Sequence, residues 1–222
     1  MTGIERLHSI MVRLRDPETG CPWDREQTLE SLKPCVLEET YELLAAMDRP
    51  EDKANHIEEL GDVLLQVLFH SVIGSEDGEF DIDDVATRCT EKMILRHRHI
   101  FGDLKADCPD EALANWEQAK KEEKGFTTLY EELDDIPKCF PALMRAQKTA
   151  KKIERAAGGI DQCESGAKSV SGIDLGNVDF GDEKAVGELL YEICRRANEK
   201  GTECELALKR VTDAVVESKK DA

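Results

Sequence analysis

The sequence predicts an all-α protein: a helical bundle that carries the chemistry, followed by a smaller helical unit. Three observations lead there. The chain has 222 residues and 40% hydrophobic content, enough for one good core and a lesser second one. Aromatic residues make up only 5% and charged residues 35%, with few β-branched runs. Apolar residues recur at helical rather than alternating spacing.

Each element can be justified in order. Ile4, Leu7, Ile10, Met11 and Leu14 share one helical face and predict a first helix ending before Asp16-Pro17. The stretch DPETGCPWDREQT, crowded with Pro, Gly and Asp, reads as a loop. In it Trp23 serves either to anchor the loop or to line a substrate pocket. A second helix is expected from Leu29 to Met47, with Pro34 near its start, and a third from Asn55 to Ser75 after the turn DRPEDK. A fourth is expected over Asp81–Phe101 and a fifth over Pro109–Lys124, the latter opening on an acidic first turn. YEELDDIPKCFP reads as a connector, and a helix follows from Pro141 to Ala157. Residues 158–182 hold six glycines without periodicity and are expected to form a long loop or a partly disordered segment. Helices over Glu183–Lys200 and Thr202–Ser218 close the chain. The expected division is a catalytic helical domain over 1–124, a connector and linking helix over 125–157, and a last unit over 158–222.

Composition excludes several function classes. Asp and Glu number 48 against 30 Lys and Arg, a net charge of −18, which argues against binding a nucleic-acid polymer through its backbone. A nucleotide substrate remains compatible, because a divalent cation can lie between two acidic surfaces. The eight cysteines are scattered with no CxxC pair, which suits neither a zinc ribbon nor a disulfide scaffold. Cys21 and Cys35 have no basic activator beside them and are not expected to act as nucleophiles. The opening MTGIERLHSIM is too charged for a signal peptide, and no apolar run is long enough to span a membrane, so a cytoplasmic location is expected.

The chemistry concentrates in the second and third helices. Glu38, Glu39 and Glu42 fall in one sector of the second. The third reads VLLQVLFHSVI from Val63, apolar nearly all round, yet Glu59, Asp62, Gln66 and His70 continue one polar line at i, i+3, i+7 and i+11. About the midpoint of the turn, between Pro50 and Glu51, Glu42 mirrors Glu59 and Glu39 mirrors Asp62. One ExxE or ExxD motif is usually a solvated face. Two such motifs mirrored across a short turn place four carboxylates at one level, where they repel unless hard divalent cations bridge them. Glu38 and Glu58 lie on the flanks.

Glu38-Glu39-Thr40-Tyr41-Glu42 followed by Glu59-Leu60-Gly61-Asp62 resembles the EExxE…ExxD signature of the all-α nucleoside triphosphate pyrophosphohydrolases. GCPWDREQT, RHRHIFGD, NWEQAKKEEK and PALMRAQK narrow the resemblance to the MazG family, over residues 1 to about 155. That resemblance implies a helical bundle that dimerises and hydrolyses NTPs or dNTPs to NMP and pyrophosphate. It implies Mg²⁺, with Mn²⁺ as a substitute, on Glu39, Glu42, Glu59 and Asp62, with Glu38 adjacent. Glu38 and Glu58 are candidates either to support the metal ligands or to act as general base, Glu38 being the preferred base. Lys92 and Arg96, spaced i, i+4, are implied for the phosphates, and the pair Trp116 and Lys120 for base and phosphate. Each has an ordinary alternative, a solvated lysine or a core tryptophan. His97 and His99, at i, i+2, point to different faces of a continuous helix and are not expected to share an ion.

The last unit departs from the family pattern. Gly187-Glu188-Leu189-Leu190 echoes Gly61-Asp62-Val63-Leu64, but Ala185 stands where the first copy has Glu59. This half reads as a degenerate copy. Two rivals stand beside the enzyme reading. One is a regulatory nucleotide-binding protein of the same fold that no longer turns over. The other is a di-iron carboxylate bundle, which needs paired ExxH motifs where this chain has only Glu5 to His8.

Overall fold

A computed structural model describes residues 1–156 and 178–217, and among them the chain is all-α, without strands. The helices in order are α1 (Gly3–Leu14), α2 (Pro22–Glu26), α3 (Lys33–Met47), α4 (Lys53–Glu76), α5 (Ile82–Arg96), α6 (Arg98–Phe101), α7 (Pro109–Lys124), α8 (Leu129–Asp134), α9 (Ala142–Ala156), α10 (Glu183–Glu199) and α11 (Cys204–Glu217). No described helix is long and apolar enough to cross a membrane. The expectation for the glycine-rich stretch lies almost wholly outside the described residues.

Local chemistry sets the ends. Thr2 accepts the Glu5 backbone N–H while the Glu5 carboxylate accepts that of Thr2, a capping box that starts α1. Pro34 fixes the start of α3: without an N–H it is tolerated only in the first turn, so the helix begins at Lys33 rather than at Leu29. Three further differences from the sequence expectation have equally local causes. Pro22 opens the short α2 inside the segment read as loop. The helix expected to run unbroken to Phe101 stops at His97, where φ is −104° and ψ is 52°. The backbone N–H of His97 and its Nδ1 both lie against the Met93 carbonyl, at 3.0 and 2.8 Å, and satisfy that helix end. Thr128 and Glu131 form another capping box and turn part of the expected connector into α8.

The chain divides into two compact units, Met1–Trp116 and Glu117–Ala222, the division falling within α7. In the first, α3 and α4 form a helical hairpin, α1 packs on α4, and α5 follows α4 closely. Met11, Leu32, Leu68, Phe69, Val72 and Ile73 are its buried core. Trp23 is half out in solvent at 55% exposure and meets Phe69 edge-on at 6.4 Å, which makes it an anchor for the loop. Arg15 also lies over the Phe69 ring and forks onto Glu76. Gly74 is required: a β-carbon there would stand 2.6 Å from the Phe80 ring, which packs across α4.

In the second unit α9 is central, with α8, α10 and α11 against it. Gln147, buried on α9, ties down the start of α11 by donating to the Thr202 carbonyl and accepting the Cys204 N–H, both at 2.7 Å. Cys194 and Cys204 are buried neighbours here, and their burial together raises the Cys194 thiol to about 12. All the described cysteines are free.

Candidate active site

The α3–α4 hairpin builds the acidic cluster. Its turn is held by Asp52, which caps α4 by accepting the Asn55 N–H at 3.1 Å. That short connection sets the register of the two helices, and it brings Glu39, Glu42 and Glu59 together. Each offers a carboxylate oxygen, and the three lie within 4.8 Å of one another. Glu39 and Glu59 are half-buried and Glu42 is exposed. Asp62 stands outside that trio, yet its charge acts on Glu39. Burial, first, and then the charges of Asp62, Glu42, Glu38 and Glu59 push the Glu39 carboxyl above the ordinary glutamate range. Glu38 is exposed beside the trio.

Asn55 belongs to this site and was not among the residues expected from sequence. Its Nδ2 donates to Glu59 Oε1 at 2.7 Å, and its Oδ1 accepts from Arg49 at 3.3 Å, so Arg49 and Asn55 hold the Glu59 carboxylate in place. The available signal was position: Asn55 is one turn before Glu59 on the same helix face.

A mostly apolar cavity of about 330 Å³ borders the cluster through Glu39, lined by Val36, Val63, Gln66, Val67 and Phe80 among others. The polar line continued by Gln66 and His70 therefore runs into this cavity. Oε1 of Gln66 is buried and has no hydrogen-bond partner among the described residues.

The remaining expected residues fall into two groups. On α5, Lys92 is half-buried and Arg96 buried, and the Arg96 guanidinium lies 5.3 Å over the Trp116 ring. The His97 ring meets the same tryptophan edge-on at 4.8 Å. The break at His97 also changes the relation of the two histidines, whose rings are 5.7 Å apart. Lys120 is part of the second unit, 3.7 Å from Asp135. Burial and the nearby Lys152 and Lys124 ammoniums hold its pKa below the usual lysine value, against the opposing pull of Asp135.

An acidic helical hairpin beside an apolar cavity suits a phosphorylated substrate with an organic body, and similarity to known proteins agrees. A MazG nucleotide pyrophosphohydrolase domain is matched over residues 27–101, which contain every carboxylate of the cluster. A nucleoside triphosphate pyrophosphohydrolase of Escherichia coli is 39% identical, over 96% of this chain and 84% of its own length. The chain belongs to the MazG family. A Thermotoga maritima MazG, a nucleoside triphosphate pyrophosphohydrolase/pyrophosphatase, is 38% identical over 96% of this chain and 82% of its own. The Bacillus subtilis protein YabN is 53% identical over 65% of this chain but only 29% of itself. The MazG domain match ends before Trp116 and Lys120.

Proposed function

We propose that this MazG chain hydrolyses nucleoside triphosphates, ribo- or deoxyribo-, to the monophosphate and pyrophosphate in a divalent-cation-dependent reaction, as a control on the nucleotide pool. The observation that carries this reading is the carboxylate trio across the α3–α4 hairpin. The donor set fits a hard cation: all its oxygens are carboxylate, two residues are half-buried, and burial together with the neighbouring carboxylates raises the Glu39 carboxyl above its ordinary range. Glu39, Glu42, Glu59 and Asp62 would hold Mg²⁺, with Mn²⁺ as a substitute. When bound, the ion neutralises the triphosphate and makes water more acidic.

The chain's own groups supply the rest. Asn55 and Arg49 fix Glu59, so the cluster is organised before substrate arrives. Lys92 and Arg96 offer cations to the phosphates, with Trp116 steadying the Arg96 guanidinium. Lys120 contributes a further cation. The apolar cavity beside Glu39 excludes water from one side of the reacting group. Glu38, exposed and unshared with the trio, takes the proton of the attacking water. The water oxygen forms the new bond to the α-phosphorus, and the bond to the bridging oxygen breaks. Pyrophosphate leaves with that oxygen, its charge met by the basic side chains.

An exposed apolar stripe supports a homodimer. Leu37, Tyr41, Ile57, Leu60 and Val67 on α3 and α4 are all between 41% and 71% exposed, more apolar surface than a lone helical hairpin usually leaves. The degenerate second unit then serves stability or assembly rather than turnover. The free cysteines suit a reducing cytoplasm. Product analysis tests the reaction: monophosphate and pyrophosphate in equal amounts, abolished by chelator, are expected. Diphosphate with orthophosphate, or nucleotide binding without turnover, would refute it, the latter favouring the regulatory alternative.

A further inference from the structure

A second cavity, also of about 330 Å³, lies wholly within the C-terminal unit and has the opposite character. Its walls are the last turns of α7, the α8–α9 connection and one face of α9. Lys148, Lys151, Lys152 and Arg155 follow one another on α9 at i, i+3, i+4 and i+7, so they form a single stripe facing the cavity. Lys120 and Lys124 of α7 line it as well. Among the lining residues the acids are Glu117 and Asp135, so the lining carries a surplus of four positive charges in a chain whose net charge is −18.

The carboxylates present do not use up the cations. Asp135 is shared between Lys120, at 3.7 Å, and Lys124. Glu117 is taken by Arg155 at 2.9 Å. Among the described residues Lys152 reaches Glu132 at 3.8 Å, and Glu132 is already paired with Lys121. Lys148 is held by the Phe140 ring, and neither it nor Lys151 has a carboxylate partner among the described residues. Crowding of like charge on a protein is unfavourable unless something neutralises it. A solvated lysine face would be convex and interspersed with acids; this one is concave and floored by Ile136, Pro137 and Phe140.

We propose that this cavity is a binding site for an oligophosphate anion, a chain of two or three phosphates held by the α9 stripe and by Lys124 of α7. Several charges spaced along a short helix match several phosphates spaced along a P–O–P chain, whereas a single carboxylate or chloride would engage one or two cations. The occupant's chemistry is the same whether it is free pyrophosphate or tripolyphosphate, or the tail of a nucleotide. The site requires no divalent cation and no carboxylate of the α3–α4 hairpin, so it stands or falls separately from the proposed hydrolysis.

The test is calorimetric titration of the full chain, carrying Glu42→Ala and kept in chelator, with inorganic tripolyphosphate. Saturable binding is expected, weakening with added salt. Lys148→Ala/Lys151→Ala/Lys152→Ala should bind tenfold or more weakly, while the triple Lys→Arg variant, which keeps the charge, should bind at about the parent affinity. Lys151→Glu alone, at an exposed residue without an ion pair among the described residues, should give the same loss without threatening the fold. Competition then separates the sources. Displacement by pyrophosphate marks the free anion, and displacement only by a nucleoside triphosphate marks a nucleotide tail. Absence of tripolyphosphate binding, or unchanged affinity in both Lys151→Glu and the triple alanine variant, would overturn the proposal.

Discussion

Replacing Glu39 with glutamine should make the metal-free protein more stable while removing its ability to be stabilised by metal. Glu39 has carboxylate oxygens of Glu42 and Glu59 within 4.8 Å, with Asp62 and Glu38 also acting on it. Two like charges at that separation repel by about 1 kcal/mol in a water-like medium and by about 3 kcal/mol at the dielectric of a protein surface. Because Glu42 is exposed, the lower figure is the better guide, and two such pairs give about 1–2 kcal/mol released by Glu39→Gln. For a chain of this size that is a rise in Tm of about 2–8 °C in chelator. The sign with pH follows from the raised carboxyl. The folded protein holds this proton more tightly than the unfolded chain, so the unfavourable contribution is absent at low pH. It appears as pH rises through the ordinary glutamate value and is complete above the folded one. Parent protein in chelator therefore loses stability over that window and Glu39→Gln does not. Thermal unfolding followed by circular dichroism, with chelator and with Mg²⁺, is the assay. A Glu39→Gln protein no more stable than parent in chelator, or stabilised by Mg²⁺ as much as parent, would refute the reasoning.

Asn55→Ala removes the hydrogen bond that fixes Glu59, so the Mg²⁺ concentration for half-maximal rate should rise by about three- to tenfold, with kcat at saturating metal little changed; an unaltered metal titration would dismiss the positioning role. Gly74→Ala presses a methyl into the Phe80 ring and should cost about 1–2 kcal/mol, after the gain in helix propensity, read as a lowered Tm. Ile57→Asp puts a charge in the exposed apolar stripe at a position 71% exposed in the single chain, so sedimentation should show a dimer for parent and a monomer for the variant, while circular dichroism stays unchanged.

The acidic hairpin was legible in sequence because helical periodicity and a short turn are both local. Given the turn, the residues equidistant from it are fixed, and Glu42 and Glu59 do fall in one cluster. Asn55 was not legible, because an asparagine one turn before a glutamate is unremarkable until the carboxylate's other neighbours are known. The break at His97 eluded periodicity for a related reason: the apolar pattern continues past it, while the helix end is satisfied by a histidine nitrogen that no pattern predicts. The α8 capping box, Thr128 to Glu131, was written in the sequence and was hidden by the proline that follows it. The basic cavity needed three separate segments to converge, and the acidic total of the chain concealed it.

The central claim is that the α3–α4 carboxylates turn over nucleoside triphosphates, and Glu42→Ala addresses it most directly. Glu42 is exposed, so its truncation leaves the fold intact while removing one member of the trio. Pyrophosphate release from a panel of NTPs and dNTPs in Mg²⁺ should fall by about a hundredfold or more, with the circular dichroism spectrum of the parent retained. A folded Glu42→Ala protein releasing pyrophosphate at the parent rate would contradict the account.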